Sequence, residues 1–104
     1  MTHKHTTKHL TEALYSVSES NNALDSVHGA LTILNELVRK NNQFRAFIQS
    51  KRITGADKAK ILNIVLGESG QALVAELVSH FEGRQASHQL QDITDLFDHR
   101  YKAG

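Results

Sequence analysis

The sequence predicts an all-α fold, a six-helix bundle forming a single compact domain. Three observations carry that reading. Apolar residues recur at steps of three and four along most of the chain, which is the period of an amphipathic helix. No stretch alternates strictly between apolar and polar residues as a half-buried strand would. Proline, the usual breaker of helices, is absent from all 104 residues.

In the first helix, over residues 6–18, Leu10, Ala13, Leu14 and Val17 follow the i, i+3, i+4, i+7 rule. "SESNN" then interrupts with short polar side chains that compete for backbone hydrogen bonds. The second helix, 23–40, carries the strongest periodic signal, with Leu24, Val27, Leu31, Leu34 and Val38 forming a seam. Gly29 inside it costs about 1 kcal/mol against alanine, a cost that close approach of another helix would explain. After "KNNQ", Phe44, Phe47 and Ile48 mark a helix of two turns, too short to stand without burying those side chains. The elbow "SKRITGADK" follows, in which Thr54 can cap the fourth helix by accepting from the amide of Asp57. That helix, 55–66, is expected to turn Ile61, Leu62, Val65 and Leu66 inward, with Gly67 as a left-handed cap. "GESG" leads to a fifth helix defined by Leu73, Val74, Leu77, Val78 and Phe81 and ending near Gly83. Leu90, Ile93, Leu96, Phe97 and Tyr101 define the sixth.

Composition excludes several kinds of chemistry. With no cysteine there is no disulfide, thiolate nucleophile or cysteine-based metal site. Twelve Lys and Arg against eleven Asp and Glu leave a net charge of +1, far from the balance that phosphate backbones reward, so nucleic acid is not an expected partner. No apolar run approaches the roughly 20 residues of a membrane-spanning helix, and the basic N-terminus is not followed by the apolar core of a secretory signal. Cytoplasm, or the matrix side of a membrane, is the expected location.

The seven histidines form neither an HExxH pair nor a Glu-x-x-His repeat, so a physiological metal site is not expected. "MTH" could hold Cu(II) or Ni(II) in a square of nitrogens, but only incidentally. Loops of the GxSxG, GxxxxGK[ST] and GxGxxG kinds are missing. "GADKAK" reads as a capped helix start with solvated lysines rather than a phosphate cradle. Glu68, Glu76, Asp92, Asp95 and Asp98 are spaced as exposed-face carboxylates. The expected protein is therefore not an enzyme and takes no cofactor, metal or small-molecule substrate. Its helix surfaces do the work, as when an amphipathic helix seats in a groove between two others.

The order of the motifs resembles the N-terminal domain of the ATP synthase delta subunit, the oligomycin sensitivity conferring protein of mitochondria. "LTEALYSV" (residues 10–17) is similar to that family's opening signature, with Leu10 and Thr11 standing where Tyr and Ala are usual. "ILNELVRKNNQFRAFIQSKRITGADKAKILNIVL" (33–66) is similar to its most recognisable stretch. "EGR" followed by Leu90, Ile93 and Phe97 resembles its close. The resemblance implies a non-catalytic stator component on the head of a rotary ATP synthase, peripheral to an energy-transducing membrane and not inserted in it. It further implies that the chain binds the N-terminal helix of an alpha subunit between its first and fifth helices, through Leu10, Ala13, Leu14 and Val17 with Leu73, Val74, Leu77 and Val78. Residues 1–104 would be one N-terminal-type domain without the family's second, stalk-binding domain. The competing expectation is a helical adaptor, or a self-associating domain, unrelated to ATP synthase.

Overall fold

The computed structural model describes the backbone of residues 3–67 and 72–103, with side chains described from residue 7 onward. "GESG", with Glu68, and the first two residues of "MTH" lie outside the described residues. Six helices follow in order: α1 (His3–Ser20), α2 (Leu24–Lys40), α3 (Asn42–Gln49), α4 (Gly55–Leu66), α5 (Ala72–Ser79) and α6 (Ala86–Ala103). No strand occurs among the described residues.

The seam on α2 makes it the central helix. Val27, Ala30, Leu31, Leu34 and Val38 are all buried, and α2 packs against α1, α3, α5 and α6. Opposite it, α6 contributes Leu90, Ile93 and Phe97, each with no exposed surface. The α1 helix lies mainly on α6, α3 bridges α2 and α6, and α4 pairs with α5, which rests on α2. Each large aliphatic or aromatic side chain removed from water in this way contributes about 1.5 to 3 kcal/mol.

Polar residues set the corners. Asn22, with φ 54°, takes the left-handed turn between α1 and α2 that asparagine tolerates. Asn41 caps α3 by accepting from the Phe44 amide at 2.9 Å. Thr54 caps α4 by accepting from the Asp57 amide at 3.2 Å, as its spacing predicts. Gly67 ends α4 with φ 55° and ψ −125°, so the positive φ is as expected but the geometry is not the left-handed helical cap.

Four local expectations need correction. Ile61 and Val65 do not face inward: they are 39% and 44% exposed, while Leu62 and Leu66 are buried. Their place is taken by Lys58, which is not solvated but 1% exposed. Its ammonium donates to the carbonyls of Ile48 at 2.9 Å and Phe81 at 2.6 Å. These belong to the last turn of α3 and to the chain just beyond α5, so one cation satisfies acceptors at two helix ends, where the helix dipoles also favour positive charge. Phe81 itself is buried but lies beyond α5, which stops at Ser79. Gly29 meets no close neighbour, since a Cβ there would find nothing within 4 Å.

Candidate partner-binding surface

On α1 most of the residues that face the core lie outside the apolar stripe, Leu14 being the exception. Thr7, Thr11, Leu14, Tyr15 and Ser18 are buried. Hydroxyls can occupy an interior face when they are satisfied, and two of these are satisfied within the helix. Thr11 Oγ1 donates to the Thr7 carbonyl at 2.8 Å, and Ser18 Oγ donates to the Leu14 carbonyl at 2.6 Å. Tyr15 adds a tilted ring contact with Phe97 of α6 at 5.4 Å. Because the threonine and serine side is turned in, part of the apolar stripe is left outside. Ala13 is exposed, Val17 is 43% exposed, and Leu10 is half-buried against the core. Leu14 alone of the four lies inside, 7% exposed.

The α5 helix divides more simply. Val74 and Val78 are core residues with no exposed surface, joined by Ala75. Leu73 and Leu77, one turn apart, are half-buried at the edge of the core. Of the eight residues named from the sequence, five thus keep surface to offer a partner: Leu10, Ala13, Val17, Leu73 and Leu77. The closely packed helix pairs do not include α1 with α5; each is held through other helices, α1 by α6 and α2 and α5 by α4 and α2.

Charges border both helices. On α1, Glu12 accepts from Arg100 of α6 at 3.0 Å, and the same guanidinium lies 4.7 Å from the Tyr15 ring centroid. Glu76 of α5 and His80, just past its end, approach at 3.9 Å on the exposed side. The groups whose proton affinity is shifted lie elsewhere. Burial lowers the Lys58 pKa, against a smaller opposing effect of Glu82. Asp98 of α6 is lowered chiefly by its hydrogen bond with His28 of α2, at 2.6 Å. Tyr101 is raised chiefly by its hydrogen bond to Asp25. His28 is thus held between an aspartate and the Tyr101 ring, stacked at 4.2 Å, and serves as an α2–α6 fastener.

Among the described residues no three His, Asp or Glu side chains converge as a metal site would need. None of the described helices is long and apolar enough to cross a membrane. What the arrangement offers is surface: a partly exposed apolar stripe and a neighbouring leucine edge, with polar rims. Sequence reasoning missed the inward turn of Thr7, Thr11 and Ser18, and their spacing of four and then seven residues, which keeps them on one helix face, was the available signal.

Comparison with curated proteins and with solved structures returns no match. The model of one family, described as ATP synthase delta (OSCP) subunit, matches residues 7–104. The chain therefore belongs to the ATP synthase delta (OSCP) subunit family, the non-catalytic, peripheral stator subunit of that enzyme.

Proposed function

We propose that this chain is an N-terminal-type domain of the stator subunit and grips the head of the synthase by binding the amphipathic N-terminal helix of an alpha subunit at α1 and α5. The observation that carries the reading is the orientation of α1. A helix that buries Thr7, Thr11 and Ser18 while leaving Ala13 and Val17 in water has kept apolar surface where the isolated fold gains nothing from it. Small Ala13 lets a foreign helix approach closely, and Val17 with Leu10, Leu73 and Leu77 supplies apolar surface to receive the i, i+3, i+4, i+7 anchors of such a helix. The action is mechanical: a bound helix resists rotation of the head, and no bond is made or broken.

Isothermal titration calorimetry with an alpha-subunit N-terminal peptide tests it. Asp at Leu14 or Val78 would disrupt the core, so the informative substitutions are Ala13→Asp and Val17→Asp. Each should weaken binding at least about tenfold, a loss of about 1.4 kcal/mol, with unchanged far-UV circular dichroism. Failure of the unaltered chain to bind at high micromolar concentration would overturn the proposal. So would a stable dimer in sedimentation that buries the same stripe, the outcome expected of a self-associating adaptor.

A further inference from the structure

Seven of the twelve Lys and Arg fall between residues 39 and 60, against a single carboxylate, Asp57, although the whole chain carries only +1. Lys58 is buried and committed to backbone carbonyls. Most of the others stay at the surface, and the fold brings Arg84, just before α6, and His88, in its first turn, up to them.

Two polar clefts flank the first turns of α6. One is lined by Arg39, Arg45 and His88 with Ser87 and Gln91. The other is lined by Lys51 and Arg84 with Gln49, Gln85 and Gln89. A hydrogen bond from Gln49 Nε2 to Ser87 Oγ at 3.1 Å joins their walls, so the two form one basic surface.

The cations there are little neutralised. The Arg45 guanidinium is fixed by the carbonyls of Val38, at 3.0 Å, and Arg39, at 3.2 Å, which hold its charge in place without cancelling it. Glu36 approaches Arg39 only at 3.7 Å, on an exposed face. No ion pair joins Lys51, Arg52 or Arg84 to a carboxylate among the described residues. Glu82 is the one carboxylate in either lining. The first turn of α6 carries no acidic residue, so the positive end of that 18-residue helix adds to the same field.

We propose that this surface docks an acidic segment of a partner polypeptide, whose carboxylates pair with Arg39, Lys51 and Arg84 and whose backbone is met by the glutamine amides. A lipid surface fits less well. The exposed large apolar residues Val17, Ile33, Ile61, Ile64, Val65 and Leu96 line neither cleft, so nothing there would enter a bilayer. The proposal is independent of α1 and α5, whose residues line neither cleft.

The test is a titration followed by amide chemical shifts, using a synthetic peptide of alternating Glu and Ala, a matched Gln and Ala peptide, and phosphatidylcholine–phosphatidylglycerol vesicles. The Glu peptide should shift amides around Arg39, Arg45, Lys51, Arg84 and His88 at about 50 mM salt and lose most of its binding at about 300 mM, where exposed charges are screened. Lys51→Glu with Arg84→Glu should weaken it at least about tenfold through like-charge repulsion, while Val17→Asp leaves it unchanged. The proposal is overturned if the Glu peptide does not bind at low salt, if the Gln peptide binds equally, if the double reversal has no effect, or if only the vesicles bind.

Discussion

Replacing Lys58 by Met removes one ammonium and keeps the buried stem, and the structure sets the size of the effect. The ammonium donates to Ile48 O at 2.9 Å and Phe81 O at 2.6 Å, in a site where the side chain is 1% exposed. Hydrogen bonds from a charged donor contribute about 1.5 to 3 kcal/mol each, so two amount to about 3 to 6 kcal/mol. Burial of the charge, which lowers the Lys58 pKa, is a cost that methionine does not carry, so the lower end applies. A loss of about 3 kcal/mol in a domain of about 100 residues moves Tm down by about 15 °C. Thermal and urea melts followed by far-UV circular dichroism measure this, with the exposed Lys60→Met expected within about 0.5 kcal/mol of the unaltered chain.

The same substitution carries a pH signature. Since the folded pKa of Lys58 is lowered, the unfolded chain binds more protons between that value and the ordinary 10.5, so this group's contribution to stability rises with pH through that window. Tyr101 acts oppositely: its folded pKa is raised, so its contribution is full below the ordinary 10.0 and falls as pH rises through the folded value. Tyr101 is common to both proteins and cancels in their difference. The gap between the unaltered chain and Lys58→Met should therefore widen toward alkaline pH. A variant that melts at or above the unaltered chain would refute the claim that this ammonium holds the two helix ends.

Three further outcomes are expected. Thr54→Ala removes the acceptor for the Asp57 amide and should cost about 1 kcal/mol in a urea melt. Gly83→Ala should cost about 1 to 3 kcal/mol, because Gly83 has φ 79° and a Cβ would come within 3.2 Å of Lys51 Cε. Asp98→Asn loses the charged partner of His28. Since the folded pKa of Asp98 is lowered, its contribution is full above the ordinary 3.8 and disappears as pH falls through the folded value, so the variant should be less stable at neutral pH and converge with the unaltered chain in acid melts.

The parts of this fold that were legible in the sequence are those decided locally. The seam on α2 and the start of α4 depend on spacing and one cap, and both stand where the residues put them. The role of Lys58 depends on carbonyls 10 and 23 residues away, which periodicity cannot reach. The end of α5 was obscured because Phe81 keeps the apolar rhythm after the helix has stopped. The basic clefts were hidden by distance in sequence, since Arg84 and His88 meet the 39–51 stretch only through the packing of α6 on α2 and α3. On α1, hydropathy alone did not show which residues face the core, because a threonine whose hydroxyl is bonded one turn back can lie inside at little cost.

That last point separates stability from binding along a single helix. Leu14 and Val17 are one turn apart and equally part of the apolar stripe, yet they are 7% and 43% exposed. Leu14→Ala should cost about 2 to 5 kcal/mol, as truncation of a buried leucine does. Val17→Ser removes a side chain already half in water and should leave the melting curve within about 0.5 kcal/mol, while weakening the alpha-subunit peptide in calorimetry. Both measurements on both variants are needed. If Val17→Ser lowered stability as much as Leu14→Ala, the stripe would be serving this domain's own core, and α1 would have no apolar surface left to give a partner.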